Sequence, residues 1–184
     1  EAKVNTCVGY NYRWTPLVQH ARNLIREGQL GDLTHYRGRF FAMYGSNPLG
    51  LLSWRFDFDV SGYGVLDDIM SHVIDMAQFI VGPVKRVSSQ SHTFIKDRPK
   101  PIQGKGTHYS VGQQDDPTGP VTNEDYIGAM VEFENDTRGT FEVSRTIFGP
   151  KTQFNFEVNG TKGAVNWDFE RMNELHVYLP KEGQ

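Results

Sequence analysis

The C-terminal third of this 184-residue chain alternates apolar and polar residues with period two, and that alternation constrains the fold more than any other feature. It runs through Ile127, Ala129, Val131 and Phe133, then Phe141 and Val143, then Phe154, Phe156 and Val158. It resumes through Val165, Trp167 and Phe169 and ends in Leu175, Val177 and Leu179. Successive side chains of a strand point to opposite faces, so each run reads as a strand with one buried face. Asn135-Asp136 and Asn159-Gly160 supply turn chemistry between runs, which predicts antiparallel strands joined by hairpins.

Helical periodicity is confined to the first half. Thr15 stands as N-cap before Pro16 as first helical residue, Leu17, Ala21, Leu24 and Ile25 recur on one face, and Gly28 supplies a stop. Leu33 to Tyr44, rich in Thr, Tyr and Phe, reads as a strand, with Gly38 a bulge or a point of close approach. A second helix gathers Val65, Leu66, Ile69, Val73, Met76, Ala77 and Ile80 within an arc of about 120° and ends at Gly82-Pro83. Val84 to Lys96 reads as a further strand, and Asp97 to Thr122 as a long Pro- and Gly-rich excursion. Helices grouped early and strands grouped late predict one α+β domain over residues 1–184, an open, mainly antiparallel sheet with helices on one face. The other face must meet water or a partner, and the aromatic-rich alternation favours a partner, here a homo-oligomer formed through the sheet.

With 19 basic against 22 acidic residues and a net charge of −3, the balance speaks against nucleic acid or an anionic membrane as partner. No apolar stretch approaches the ~20 residues of a spanning helix, so a soluble protein is expected. A single Cys7 permits no internal disulfide and fits a reducing, cytoplasmic setting. The chain opens at Glu1 with neither an initiator Met nor a secretory signal, which suggests a piece of something longer.

The segment Gly62-Tyr63-Gly64-Val65-Leu66-Asp67 begins like a dinucleotide fingerprint but closes on Asp67, and Phe58-Asp59-Val60-Ser61 before it is not a buried strand. Gly104-Lys105-Gly106 likewise lacks the rest of a phosphate loop, so no residue of the chain is assigned to a cofactor. The second helix carries the most informative cluster, Asp68, His72 and Asp75 at i, i+4 and i+7, on a stripe bordering the apolar arc. An imidazole flanked by carboxylates suits reversible proton transfer near neutral pH, although the same border can be an ordinary solvated helix edge. A metal set from these residues, serving a lyase or hydrolase, is a lesser alternative; few other ligands stand near them, and no metal is assigned. Asn11 and Arg13 before the first helix and Trp54-Arg55 before the second are the types that grip a polyhydroxylated ring. Asn and Arg donate to hydroxyls and Trp offers a flat apolar face. Each also has a bland reading as a turn, a surface cation or the edge of a core.

Taken together, Gly9-Tyr10-Asn11-Tyr12-Arg13-Trp14-Thr15-Pro16, Glu27-Gly28-Gln29-Leu30-Gly31, Trp54-Arg55, the run from Gly62 to Asp75 and Asn159-Gly160-Thr161-Lys162-Gly163 resemble a known family. It is the C-terminal domain of the glucose-fructose oxidoreductase, inositol dehydrogenase and rhizopine-catabolism (Gfo/Idh/MocA) oxidoreductases. The resemblance spans nearly the whole chain, and its specific part is the Gly-rich entry followed by Asp68-x-x-x-His72-x-x-Asp75. It implies a glyceraldehyde-3-phosphate dehydrogenase-like C-terminal fold that supplies the substrate pocket and oligomer interface. It further implies a parent enzyme whose absent Rossmann domain binds NAD or NADP and carries the catalytic lysine; Glu1-Ala2-Lys3, followed by Val4, does not take that lysine's place. His72 is then the acid/base for a sugar or cyclic-polyol hydroxyl of inositol or anhydrosugar type, Asp68 its neighbour, and Asn11, Arg13, Trp54, Arg55 and Asp67 the ring-binding set. Tyr63, Asp67 and Met70 stand where the family often has Gly, so they narrow or acidify the pocket. A non-catalytic assembly or sugar-binding module is the alternative from another class.

Overall fold

The computed structural model describes residues 3–101 and 109–180. The chain enters through a single 3-10 turn, Asn11–Trp14, and α1, Pro16–Arg26, begins with Pro16 at its first position. Thr15 opens α1 with its carbonyl, which accepts from Gln19 N at 3.1 Å, and not with its hydroxyl as the cap chemistry predicted. The helix closes on Gly28, whose φ is +73°. After β1 (Leu33–Ala42) come a turn at Trp54–Phe56, the short α2 (Phe58–Ser61), a π turn at Leu66–Met70 and α3 (Ser71–Ile80). The strands β2 (Val84–His92), β3 (Asp97–Pro99), β4 (Thr118–Pro120), β5 (Tyr126–Phe133), β6 (Arg138–Ser144), β7 (Thr152–Gly160), β8 (Ala164–Asp168) and β9 (Leu175–Tyr178) follow, with a 3-10 turn at Phe169–Arg171 between the last two, so Phe169 lies just beyond the strand its alternation predicted.

Seven strands form one sheet in the order β2-β5-β6-β1-β7-β8-β9, and all its pairings but one are antiparallel. The hairpins β5-β6, β7-β8 and β8-β9 agree with the alternation. The step from β6 to β7 does not: β1 inserts between them, parallel to β6 and antiparallel to β7. Period two records which face a residue occupies but not which strand lies beside it, so this insertion left no trace in the pattern. Asn159-Gly160 ends strand β7, and the connection proper begins at Thr161.

The excursion from Asp97 to Thr122 is pinned by the small β3-β4 hairpin. Gly104-Lys105-Gly106 within it lies outside the described residues.

One face of the sheet carries the core. Tyr36 and Phe40 from β1, Phe133, Phe141, Phe154, Phe156 and Trp167 are all at most 5% exposed and pack beneath Val18, Ala21, Val73, Met76 and Ala77 of the helices. Gly38 is a point of close approach, since a Cβ there would stand 3.0 Å from Val73 Cγ1; the bulge in β1 falls between Leu33 and His35 instead. The aromatic alternation is therefore spent on the helix-covered face. The opposite face is mostly polar, with Arg37 Nη1 donating to Glu157 Oε1 at 2.7 Å and Tyr126 Oη to Glu142 Oε1 at 3.1 Å. The aromatic-rich alternation thus points to the core and not to a partner surface. No helix of the described residues is long and apolar enough to cross a membrane.

Candidate active site

The site forms where the chain leaves β1, turns through Trp54–Phe56 and climbs into α3. The climb is not a regular helix. Glu124 takes its first amide protons, accepting from Val65 N through its carbonyl at 3.2 Å and from Leu66 N through Oε1 at 2.8 Å, and the backbone then widens into the π turn. Such a turn adds a residue to one helical revolution and shifts the phase of the helix beyond it. Asp68 lies in the π turn and His72 and Asp75 in the regular helix beyond it, and each carboxylate finds its own arginine.

Asp75, only 8% exposed, is held by both nitrogens of one edge of the Arg13 guanidinium, with Nε donating to Oδ2 at 2.7 Å and Nη2 donating to Oδ1. This fork-to-fork pair favours the charged Arg13, whose pKa is raised, and its fork is occupied by Asp75. Arg13 thus ties the 3-10 turn to α3 and also lies over the Phe79 ring at 5.1 Å. Asp68 Oδ2 accepts from Arg55 Nη1 and from Tyr44 Oη, each at 2.8 Å. Burial, with the Asp68 charge adding to it, pushes the Tyr44 phenol well above its usual range and keeps it a donor. With both carboxylates engaged by arginines, the three-residue stripe does not converge as a metal set.

His72 is half-buried among rings. Tyr10 and Tyr12 meet it edge-on with centroids at 5.5 and 5.3 Å, and Phe40 lies at 6.0 Å. Tyr12 reaches on to Phe154 at 4.8 Å and Phe169 at 5.1 Å, so the aromatic wall beside His72 is continuous with the core. Desolvation dominates and lowers the imidazole pKa below its ordinary 6.5, although Asp68 and Asp75 oppose it. Nδ1 is buried with no hydrogen-bond partner among the described residues. The result is a neutral imidazole at pH 7, able to take a proton, that feels Asp68 through its charge.

At Asp68, four residues before His72, opens a cleft of about 180 Å³ walled by two stretches of chain, Trp54 and Arg55 the one and Ser61, Tyr63, Gly64, Asp67 and Asp68 the other. Trp54 is 52% exposed and braced from behind by the Arg55 guanidinium at 4.6 Å from its ring centroid. Asp67 Oδ2 accepts from Tyr63 N at 3.1 Å and steadies the lip. The fingerprint-like glycines serve this wall: Gly62 N donates to Phe58 O at 2.9 Å, and the amides of Tyr63, Val65 and Leu66 are likewise taken. They form no phosphate cradle.

Residues 18–166 match the GFO/IDH/MocA C-terminal domain model. The chain belongs to the GFO/IDH/MocA family. It is 36% identical over 170 residues to levoglucosan dehydrogenase of Pseudarthrobacter phenanthrenivorans, covering 92% of this chain and 44% of that protein. A solved structure of levoglucosan dehydrogenase in complex with NADH and L-sorbose superposes with a TM-score of 0.86 at 34% identity, over 95% of this chain and 44% of that one. An oxidoreductase domain protein from Kribbella flavida gives 0.85 at 38%, over 95% and 44%. The chain thus spans less than half the length of these relatives.

Within this GFO/IDH/MocA domain, Trp54, Arg55, Asp67 and Asp68 come together in one cleft. His72 is not among the residues that line it and stands four positions beyond Asp68, Asn11 lies exposed in the turn between Tyr10 and Tyr12, and Arg13 is committed to Asp75. Sequence reasoning missed Tyr44 as a partner of Asp68 and Tyr10 and Tyr12 as partners of His72. It also missed a buried layer beneath the cleft made of Asn123, Asp125 and Arg145. Arg145 was detectable, because it continues the inward phase of Phe141 and Val143, where an arginine must be buried with partners. Tyr44 gave no signal, since its partner lies across the fold.

Proposed function

We propose that this domain is the substrate-binding half of an NAD(P)-dependent dehydrogenase that oxidises one hydroxyl of a neutral sugar or cyclic polyol, with His72 as acid/base. The observation that carries the reading is a ring-enclosed His72 four residues beyond Asp68, which itself lines a cleft that offers an aromatic face and carboxylates. Trp54 stacks on the apolar face of the ring, while Asp67 and Asp68 accept from its hydroxyls. Arg55 and Tyr44 fix Asp68 Oδ2, so the carboxylate meets the substrate in a set orientation. His72 takes the hydroxyl proton as the carbon is oxidised. Arg13 acts at one remove, holding the turn that carries Asn11 and Tyr12 against His72. The nicotinamide, bound by a part of the parent protein outside this chain, supplies the hydride acceptor. The kinship to levoglucosan dehydrogenase, whose complex holds NADH and L-sorbose, supports both cofactor and substrate class. A homo-oligomer through the open sheet face, where Met130 is 72% exposed, and a cytoplasmic setting complete the reading.

The test is His72→Gln in the full-length parent, assayed against a panel of sugars, cyclitols and anhydrosugars with NAD and NADP. Turnover should fall about 10²- to 10⁴-fold with KM changed far less. Unaltered turnover at every pH defeats the assignment, and a wild-type parent silent on the whole panel favours a binding module.

A further inference from the structure

The cleft walls are near each other in sequence, but they are also joined from underneath by residues remote from both. Arg145 and Asp125, 0% exposed, form a buried ion pair, with Arg145 Nε donating to Asp125 Oδ1 at 2.8 Å. Asp125 Oδ2 is itself satisfied, accepting from Phe94 N at 2.8 Å and Ile95 N at 3.1 Å. A buried ion pair is weak evidence for stability, since apolar residues of like volume serve as well or better, so its presence calls for another reason.

The remaining donors of the guanidinium supply it. Nη1 donates to the Arg55 carbonyl at 2.9 Å and Nη2 to Asn123 Oδ1 at 2.8 Å. Asn123 Nδ2 in turn donates to the same Arg55 carbonyl at 3.1 Å and, on the opposite wall, to Ser61 Oγ at 3.1 Å and Gly62 O at 3.2 Å. Phe56 is clasped between the Arg145 guanidinium at 4.4 Å and that of Arg98 at 4.0 Å. At Gly64 a Cβ would stand 3.0 Å from Arg145 Nη1 and 2.2 Å from Glu124 O, so the far wall rests directly on this layer. The backbone carbonyl of Arg145 accepts from Gly45 N at 2.8 Å, next to Tyr44. Both groups that hold Asp68 Oδ2, the Arg55 guanidinium and the Tyr44 hydroxyl, are thus carried on segments bonded to this one residue.

We propose that Arg145 is a positioning residue, buried beneath the cleft, that sets the spacing of its two walls and the orientation of Asp68 within one of them. The inference rests on the reading of the cleft as the polyol site. A planar fork with several donors in fixed directions does what an ammonium cannot, which makes Arg145→Lys the informative variant: it keeps the charge opposite Asp125 and loses the fork.

In the full-length protein, Arg145→Lys should raise KM for the polyol about tenfold while kcat per folded molecule stays within about threefold. Amide exchange over residues 53–64 should accelerate about tenfold, with the core strands β5 to β7 unchanged. A purely structural role instead lowers the melting temperature and quickens exchange throughout, with KM unmoved. Asn123→Ala, which leaves the ion pair intact, carries the same readouts if the lysine variant does not fold. A folded variant with unchanged exchange over 53–64 overturns the proposal. Faster exchange there with KM unchanged supports the role of Arg145 and refutes the cleft as the polyol site. The exchange comparison decides the matter even if the wild type turns over no polyol.

Discussion

Tyr12→Ala removes the ring that joins the entry turn to the core and walls His72 from water. Its side chain is partly buried and meets Phe40, His72, Phe154 and Phe169 with centroids between 4.8 and 6.0 Å. Truncating a fully buried aromatic costs about 3–5 kcal/mol, so a partly exposed one should cost about 2–3 kcal/mol. For a chain of this length that is a fall of roughly 5–10 °C in melting temperature. The same change admits water to the imidazole, relieving the desolvation that dominates its pKa while leaving the Asp68 and Asp75 charges that raise it. The His72 titration midpoint, tracked by its Cε1–H resonance, should therefore rise. Denaturant melts and the NMR titration read the two effects separately. A variant that loses the stability but keeps the His72 midpoint would show that Tyr12 does not set the imidazole's environment, and the account of a neutral ring-enclosed base would fail.

The same group sets the sign of the pH dependence. Because the folded His72 holds its proton less tightly than the unfolded chain, its neutral form contributes fully above pH 6.5. That contribution is lost as the pH falls below 6.5 and saturates once the folded ring is protonated too, so His72→Gln should flatten this limb of a melting-temperature profile. Gly64→Ala should destabilise by about 1–3 kcal/mol in denaturant melts, because the new methyl meets the Glu124 carbonyl and one wall or the floor must yield. An alanine there that leaves stability and KM untouched would contradict the close packing of wall on floor.

Alternation and periodicity revealed the faces of the central strands and of α3, but not of the edge strand β9, where Val177 is 42% exposed and Leu179 lies beyond the strand's end. Phe154, Phe156, Val158, Val165 and Trp167 point into the core as their spacing requires, and α3 buries Val73, Met76, Ala77 and Ile80. These are local quantities, fixed by the geometry of one strand or one helix and by the free energy of removing apolar surface from water. The type of His72 and its distance along the helix from Asp68 are of the same kind, and so are the glycines that begin the climb into α3. What the cluster does could not be read this way. A regular helix throughout was the expectation, but Asp68 sits in a π turn, and partners 13, 24 and 62 residues away engage the two carboxylates. The insertion of β1 between β6 and β7, the clamp of Tyr44 and Arg55 on Asp68, and the joining of both cleft walls through Asn123 and Arg145 likewise depend on which distant segments meet. Sequence spacing determined the faces and the chemical types available. Only long-range packing decided which of those groups would be bound, which left exposed in the cleft, and which buried as the floor beneath it, because hydrogen bonds and desolvation act through contact in space.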